Sequence, residues 1–319
     1  MTLWIWGVAI ITFAISVLVT RVVCRLAEPL GLVDVPNARS SHTTPTPRGG
    51  GLAIVVSSGM ALMFLTVDGI LSYRLFMAIA GGGFVVAATG LIDDLRPLPA
   101  AVRLPVHFAA AIWAVAWIGP VEALRMGDHM VHLGLLGAPL TVVAIAWFLN
   151  VFNFMDGIDG IAASEAIFVC GFAILPAIYI THNHGAIGAA TAIGAASAGF
   201  LVWNWPPARI FMGDVGSGYR GFAIAVIAVA EARTDTSAVW TWLIATGIFV
   251  IDSSVTLIRR LSRGERISVA HRSHAYQHLA RKIGHKAVTK WVAAINLIWL
   301  LPLAFLSVVW PVYGYAIAL

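Results

Sequence analysis

Six aspartates draw attention first: Asp93, Asp94, Asp156, Asp159, Asp214 and Asp252. They fall in four separate stretches, at or just below the ends of long apolar runs. Acids placed there are costly unless paired, hydrated or bound to a cation. Several of them converging on one face would make a site for a metal ion and phosphate.

The pair Asp93-Asp94 lies in Gly90-Leu-Ile-Asp-Asp-Leu-Arg96. Adjacent carboxylates repel, which raises one pKa or recruits a divalent cation, but a solvated helix end has the same composition. In Asn150-Val-Phe-Asn-Phe-Met-Asp-Gly-Ile-Asp-Gly160, the residues Asn150, Asn153, Asp156 and Asp159 recur at every third position. A continuing helical turn would align them on one face, and Gly157 and Gly160 let backbone approach a ligand. The stretch Asn204-Trp-Pro-Pro-Ala-Arg-Ile-Phe-Met-Gly-Asp-Val-Gly-Ser-Gly218 sets glycines and Ser217 at a helix start. Free N–H groups and the helix dipole attract phosphate there, whereas Asp214 faces phosphate only across a cation. No Gly-Lys-Ser/Thr follows, so this is not a Walker loop.

Two further stretches are polar. His271-Arg-Ser-His-Ala-Tyr-Gln-His278 offers His271, Arg272 and His274 to phosphate oxygens, although a basic loop that only fixes topology reads the same way. No neighbouring Cys or acid completes a tetrahedral zinc site. Pro36-Asn-Ala-Arg-Ser-Ser-His-Thr-Thr-Pro-Thr-Pro-Arg-Gly-Gly-Gly51 is a connecting loop whose hydroxyls, Arg48 and exposed amides can grip a diphosphate. Cys24 and Cys170 sit in apolar runs and read as small core residues.

The elements that position these groups are apolar helices. Hydrophobic residues make up 60% of the chain and charged residues 11%, with a mean hydropathy of +0.88; soluble domains carry roughly 25% charge. Ten stretches are candidate spans: about 3–23, 51–67, 74–92, 105–119, 138–152, 161–180, 185–203, 218–231, 237–258 and 287–309. Most approach the ~20 residues a spanning helix needs, and none alternates as a lipid-facing barrel strand does. Met1–Val23 lacks a basic leader and cleavage site and is expected to be the first span. Residues 1–319 read as one membrane domain without repeats.

Alternation puts both termini on one side and the connections 24–50, 93–104, 153–160, 204–217 and 259–286 on the other. Of 20 Lys and Arg residues, Arg74, Arg125 and Arg233 fall with the termini and 17 (20 − 3) on or next to the opposite face. The positive-inside rule then makes the five connections cytoplasmic and both termini periplasmic. The net charge of +5 is thereby a matter of topology rather than a sign of nucleic acid.

In this order the segments resemble the polyprenyl-phosphate N-acetylhexosamine-1-phosphate transferases (glycosyltransferase family 4), from Asp34 to about Gln277. The pairing of Asn-Phe-Met-Asp-Gly-Ile-Asp-Gly with Phe-Met-Gly-Asp-Val-Gly-Ser is specific to that family. The resemblance implies an all-α polytopic inner-membrane enzyme with about ten transmembrane helices, its active site on cytoplasmic loops. It implies transfer of N-acetylhexosamine 1-phosphate from a UDP-sugar to undecaprenyl phosphate, with release of UMP. Asp93 and Asp94 look like the family's paired acids beside the lipid phosphate, and Asp214, with Asp156, like its Mg²⁺ ligands (Mn²⁺ being the alternative). Asn153, Asp156 and Asp159 match its nucleotide loop, with Asn204 near the uracil and Phe211 a stacking face for it. Arg103 occupies the place of a basic residue that follows the acid pair, and is expected, with Arg48, His271 and Arg272, to contact substrate; His274 is the third catalytic candidate. Asp252 matches a family acid of loosely held role. Membrane lipids are the surroundings, and a homodimer is a candidate assembly.

The muramoyl-pentapeptide transferases of peptidoglycan synthesis carry a triple histidine where this chain has Ser273-His274-Ala275-Tyr276. The wording His-Arg-Ser-His-Ala-Tyr-Gln looks more like the O-antigen-initiating branch, which favours UDP-activated GlcNAc, QuiNAc or FucNAc. The rival from another class is a cation-coupled transporter, which calls for acids near the midplane on broken helices and an inverted repeat. Neither is seen in the sequence, apart from the deeper Asp252. A purely structural membrane anchor leaves the motif acids unexplained.

Overall fold

In the computed structural model, which describes residues 2–36, 44–176, 183–265 and 271–319, the chain is a helical bundle. The helices are α1 (Thr2–Leu26), α2 (Gly51–Val67), α3 (Tyr73–Leu95), α4 (Ala100–Ile118), α5 (Gly137–Phe154), α6 (Ile161–Pro176) and α7 (His184–Asn204). They continue with α8 (Asp214–Thr234), α9 (Ala238–Ala245), α10 (Gly247–Ser262), α11 (Ala275–Ile283), α12 (His285–Ile295), α13 (Leu301–Val309) and α14 (Gly314–Ala318). Among the described residues seven helices are long and apolar enough to cross a membrane, or eight if the bent pair α9–α10 counts as one span. Two shorter apolar helices, Gly51–Val67 and Ile161–Ile174, complete the correspondence with the ten apolar stretches (7 + 1 + 2). The end of the expected sixth span, 177–180, lies outside the described residues.

Small residues decide who sits in the middle. α8 is the central helix, 89% buried over its apolar window against 22% for α1. It packs on α3 and α5, where Gly82 and Gly83 lie against Phe222 and Tyr219. The Ala- and Gly-rich α7 packs in the same way on α1, α2 and α6, and Ser16 of α1 donates to the Ala196 carbonyl at 2.6 Å. Without a hydrophobic force between helices in lipid, close approach of this kind is what holds them.

Three expectations change. The ninth span, read as continuous over 237–258, is broken by 76° between α9 and α10. Thr246 stands at the break, its hydroxyl on the Trp242 carbonyl at 2.7 Å, next to Gly247; both weaken helical continuity. The eighth span begins at Asp214 rather than 218, so Asp214 belongs to a helix. Asp93 and Asp94 close α3 and Arg103 lies in the first turns of α4, which leaves only 96–99 of the expected 93–104 connection as loop.

Other irregularities were not legible. A π-helical segment, Asn296–Leu300, joins α12 to α13. Among the described residues two short antiparallel strand pairs occur: β1 (Val33–Asp34) with β2 (Thr46–Pro47), and β3 (Ala123–Met126) with β4 (His129–His132).

Candidate active site

The site is assembled where α3, α4 and α8 meet the loop before α2. Asp93 and Asp94, adjacent in sequence, turn to different partners. Asp94 accepts from the backbone amides of Asp214 at 2.8 Å and Val215 at 3.1 Å, so it caps α8 from another helix. Arg48 adds a contact at 2.6 Å to the same carboxylate, whose side chain is 0% exposed. Asp93 accepts from the Leu98 amide and from Arg103 at 2.8 Å. Arg103 also holds Asp214 at 2.9 Å, and Arg48 reaches the other oxygen of Asp214 at 3.8 Å. Two guanidiniums, from the loop before α2 and from α4, thus link three carboxylates drawn from α3 and α8.

This corrects the phosphate reading of the α8 start. Its first amides are not free, because a carboxylate already takes the place an anion would occupy at a helix N-terminus. Glycines make the assembly possible. A methyl group on Gly51 or Gly216 would run into the other's backbone, and one on Gly90 into the peptide between Asp214 and Val215. Burial opposes the charge on Arg48, but Asp94, Asp214, Asp34 and Asp93 together hold its pKa above the usual value.

The 150–160 stretch does not continue as one helical face. α5 stops at Phe154 with Met155 as its cap, and Gly160 takes the left-handed φ of 74°. Asn150 and Asn153 are therefore helical, whereas Asp156 and Asp159 belong to the turn beyond; glycine's backbone freedom overrides the spacing. Asn153 donates to the Ser217 hydroxyl at 3.0 Å. Asp159 takes the Ala208 amide at 3.1 Å and His285 at 3.2 Å. Asn204 uses both ends of its amide, accepting from Gly160 N–H at 2.9 Å and donating to the Ile210 carbonyl at 2.9 Å. Asp159 and Asn204 thereby clip this turn to the 204–213 loop. Burial is the first cause that pushes the Asp156 carboxyl up to about 7, with Arg220 and Arg48 pulling down and Asp94 and Asp159 pushing further up.

Phe211 is half-buried and carries its loop to Arg48: its N–H donates to the Pro47 carbonyl at 2.8 Å and its carbonyl accepts from Gly50 at 3.0 Å. The histidine segment docks against the same turn. Asp252 on α10 accepts from the amides of Ala275 and Tyr276, each at 3.0 Å, and so caps α11. It also holds His274 Nδ1 at 3.3 Å. His274 is 2% exposed and stacks with His271 and Phe154, centroids 5.0 and 6.1 Å apart. Tyr276 donates to the Phe154 carbonyl at 2.8 Å. Burial first, then Arg260 and His274, lower the His271 pKa to about 4. Arg272 is half-exposed, its carbonyl bound by Arg281 at 2.9 Å.

Representatives of all five expected cytoplasmic connections therefore meet at one end of the bundle. Residues 37–43 of the first, with the hydroxyls of Ser40, Ser41 and Thr43, lie outside the described residues, as does Arg266. Sequence reasoning missed His107 of α4, close to Asn150 and one turn beyond Arg103; their spacing of four was the available signal. Among the described residues no three His, Cys, Asp or Glu side chains form a ready-made metal cage. The donor set still suits Mg²⁺, a hard ion that takes one or two carboxylates and completes its shell with water and phosphate oxygens.

Residues 75–232 match the family described as glycosyl transferase family 4. A protein of Bacillus subtilis (strain 168), the probable undecaprenyl-phosphate N-acetylglucosaminyl 1-phosphate transferase, is 30% identical over 284 residues, 85% of this chain and 76% of that protein. The decaprenyl-phosphate N-acetylglucosaminephosphotransferase of Mycobacterium tuberculosis (strain H37Rv) is 28% identical over 93% of this chain and 79% of its own length. The phospho-N-acetylmuramoyl-pentapeptide-transferase of Streptococcus suis is 28% identical over 73% of this chain and 74% of its own.

Proposed function

This chain belongs to glycosyl transferase family 4, and we propose that it transfers N-acetylhexosamine 1-phosphate from a UDP-sugar to undecaprenyl phosphate, releasing UMP. The reaction would open O-antigen or a related cell-envelope polysaccharide at the cytoplasmic face of the bacterial inner membrane. The observation that carries this reading is the bridge of Arg48 and Arg103 between Asp214 and the Asp93-Asp94 pair. Five charged groups of both signs in contact make a site for a diphosphate and its counter-ion, placed where a lipid and a water-soluble nucleotide can meet.

In the proposed step an oxygen of the lipid phosphate attacks the β-phosphorus of the donor. The bond between that phosphorus and the bridging oxygen breaks, and its electron pair leaves on UMP. Such transfers depend on positioning and charge neutralisation. Arg48 and Arg103 bind the non-bridging oxygens, exchanging carboxylate partners for phosphate of the same geometry. Asp93 takes any proton left on the lipid phosphate. Asp94 keeps the start of α8, and with it Asp214, in register. Asp214, with Asp156, would hold Mg²⁺ (or Mn²⁺), which neutralises the diphosphate when bound. Asn153 and Asp159 shape the nucleotide turn, Asn204 fixes it, and Phe211 offers a ring to the uracil. His271 and Arg272 face the leaving phosphate, and His274, held by Asp252, positions them.

The test supplies purified protein with undecaprenyl phosphate, Mg²⁺ and a panel of UDP-GlcNAc, UDP-QuiNAc, UDP-FucNAc and UDP-N-acetylmuramoyl-pentapeptide. Chelator-sensitive, lipid-dependent UMP release with one N-acetylhexosamine donor is expected. Turnover with the muramoyl-pentapeptide donor alone would move the chain to peptidoglycan synthesis, and silence with all four would remove the proposal.

A further inference from the structure

The bundle interior holds a charge that the site above does not use. Arg220 of α8 is 0% exposed, and its Nε, Nη1 and Nη2 have no hydrogen-bond partner among the described residues. Its guanidinium carbon lies 5.5 Å from the centroid of the Phe152 ring. A lone ion in such surroundings is costly unless opposite charge lies close by.

Opposite charge comes from two acids. One is Asp156, on which Arg220 exerts the largest attraction of any cation. The other is Glu165 of α6, 0% exposed, whose charge also acts on Arg220. Asn296, at the start of the π-helical segment, donates to its Oε2 at 2.6 Å; its Oε1 is unpartnered among the described residues. The remaining titratable group whose charge acts on Arg220 is Cys170, also on α6. Along α8, Asp214, Ser217 and Arg220 recur at every third residue, so one stripe of helix carries all three. Phe152 and Asn153 of α5 meet that stripe, at Arg220 and Ser217 respectively. Arg220 therefore lies against the last turn of α5, which leads directly into the turn that carries Asp156.

We propose that Arg220 is a positioning residue of the transfer site: its charge holds the Asp156 carboxylate in place from inside the bundle, while Glu165, fixed by Asn296, helps to balance it. The inference rests on the reading of Asp156 as a group that faces cation and nucleotide. Without Arg220, Asp156 confronts Asp94 and Asp159 with Arg48 as its remaining offset.

A double-mutant cycle of Asp156→Asn and Arg220→Met tests it. The readouts are kcat and KM for the UDP-sugar and, separately, calorimetric binding of UDP with Mg²⁺ in the absence of lipid. Arg220→Met is expected to cost about 10–100-fold, as loss of an orienting partner does, chiefly in KM and in UDP affinity. Arg220→Lys recovers most of that loss, and adding Arg220→Met to Asp156→Asn changes little further. Additive losses, or wild-type binding and kinetics in Arg220→Met, overturn the proposal. If Arg220→Met does not fold, Arg220→Met/Glu165→Gln takes its place in the cycle, since it also removes the buried acid of α6 that loss of Arg220 would otherwise leave uncompensated. Wild-type protein inactive with every donor removes the functional reading; an active wild type with an additive cycle removes only the role of Arg220.

Discussion

Asp94 and Asp214 stand 120 positions apart, yet the carboxylate of one caps the helix that the other begins. At this scale the three acids divide their work by what they touch. Asp94 is enclosed and anchors, Asp93 and Arg103 hold each other, and Asp214 remains 23% exposed between two arginines. Asp214→Asn is expected to lower UMP release by about 100-fold or more, the scale on which a preorganised charge acts in phosphoryl transfer. Its gel-filtration profile and melting temperature should stay close to wild type; full activity would take Asp214 out of the site. Asp156 gives a pH signature. Its carboxyl titrates at about 7 in the folded chain against a usual 3.8, so between those values the folded state binds more protons than the unfolded one. Stability contributed by the neutral form is therefore lost as pH rises through that window. The melting temperature of Asp156→Asn should gain on wild type between pH 4 and pH 8, and a flat difference would contradict this. The pair Asp93-Asp94 was visible in sequence as a repelling couple; that the two turn apart was not, because their partners lie in α4, α8 and the loop before α2.

At the scale of elements, the start of α8 is the junction on which the site depends. It needs Asp94 as its cap and the glycine contacts of Gly51, Gly90 and Gly216 as clearance. Asp94→Ala removes the acceptor of two amides and the partner of Arg48. A loss of about 1–2 kcal/mol in unfolding is expected from the cap alone, together with loss of turnover, read by denaturation in detergent and by UMP release. Gly216→Ala should impair activity as well, by forcing α2 and α8 apart, while a Cβ-tolerant position such as Gly59, with open space around it, should accept alanine. Asp252 does for α11 what Asp94 does for α8. Helical spacing predicted α5 well as far as Asn153 and failed at Asp156, since Gly157 and Gly160 release the chain from the helix. Nothing in the composition of 237–258 required a break, which falls at Thr246-Gly247.

At the scale of the whole molecule, the charge asymmetry of the connections becomes a statement about sides. With Cys24 and Cys170 replaced, a cysteine at exposed Asp128, in the β3–β4 hairpin, should react with an impermeant maleimide added to intact cells. One at exposed Ser262 should react only after permeabilisation, and the reverse pattern would invert the topology. Sequence by itself determined the solvent, the apolar helices and the family, because hydropathy and the spacing of Asp, Asn and Gly are local properties. It also contained the signal for Arg220, a charge inside an apolar span, without showing what that charge faces. Only the tertiary structure decided which acid anchors and which remains exposed, that Asn204 and Asp159 clip one loop to another, and that buried Arg220 lies against Phe152 at the end of α5. Those facts depend on contacts between helices far apart in the chain, and no local pattern encodes how closely two backbones approach.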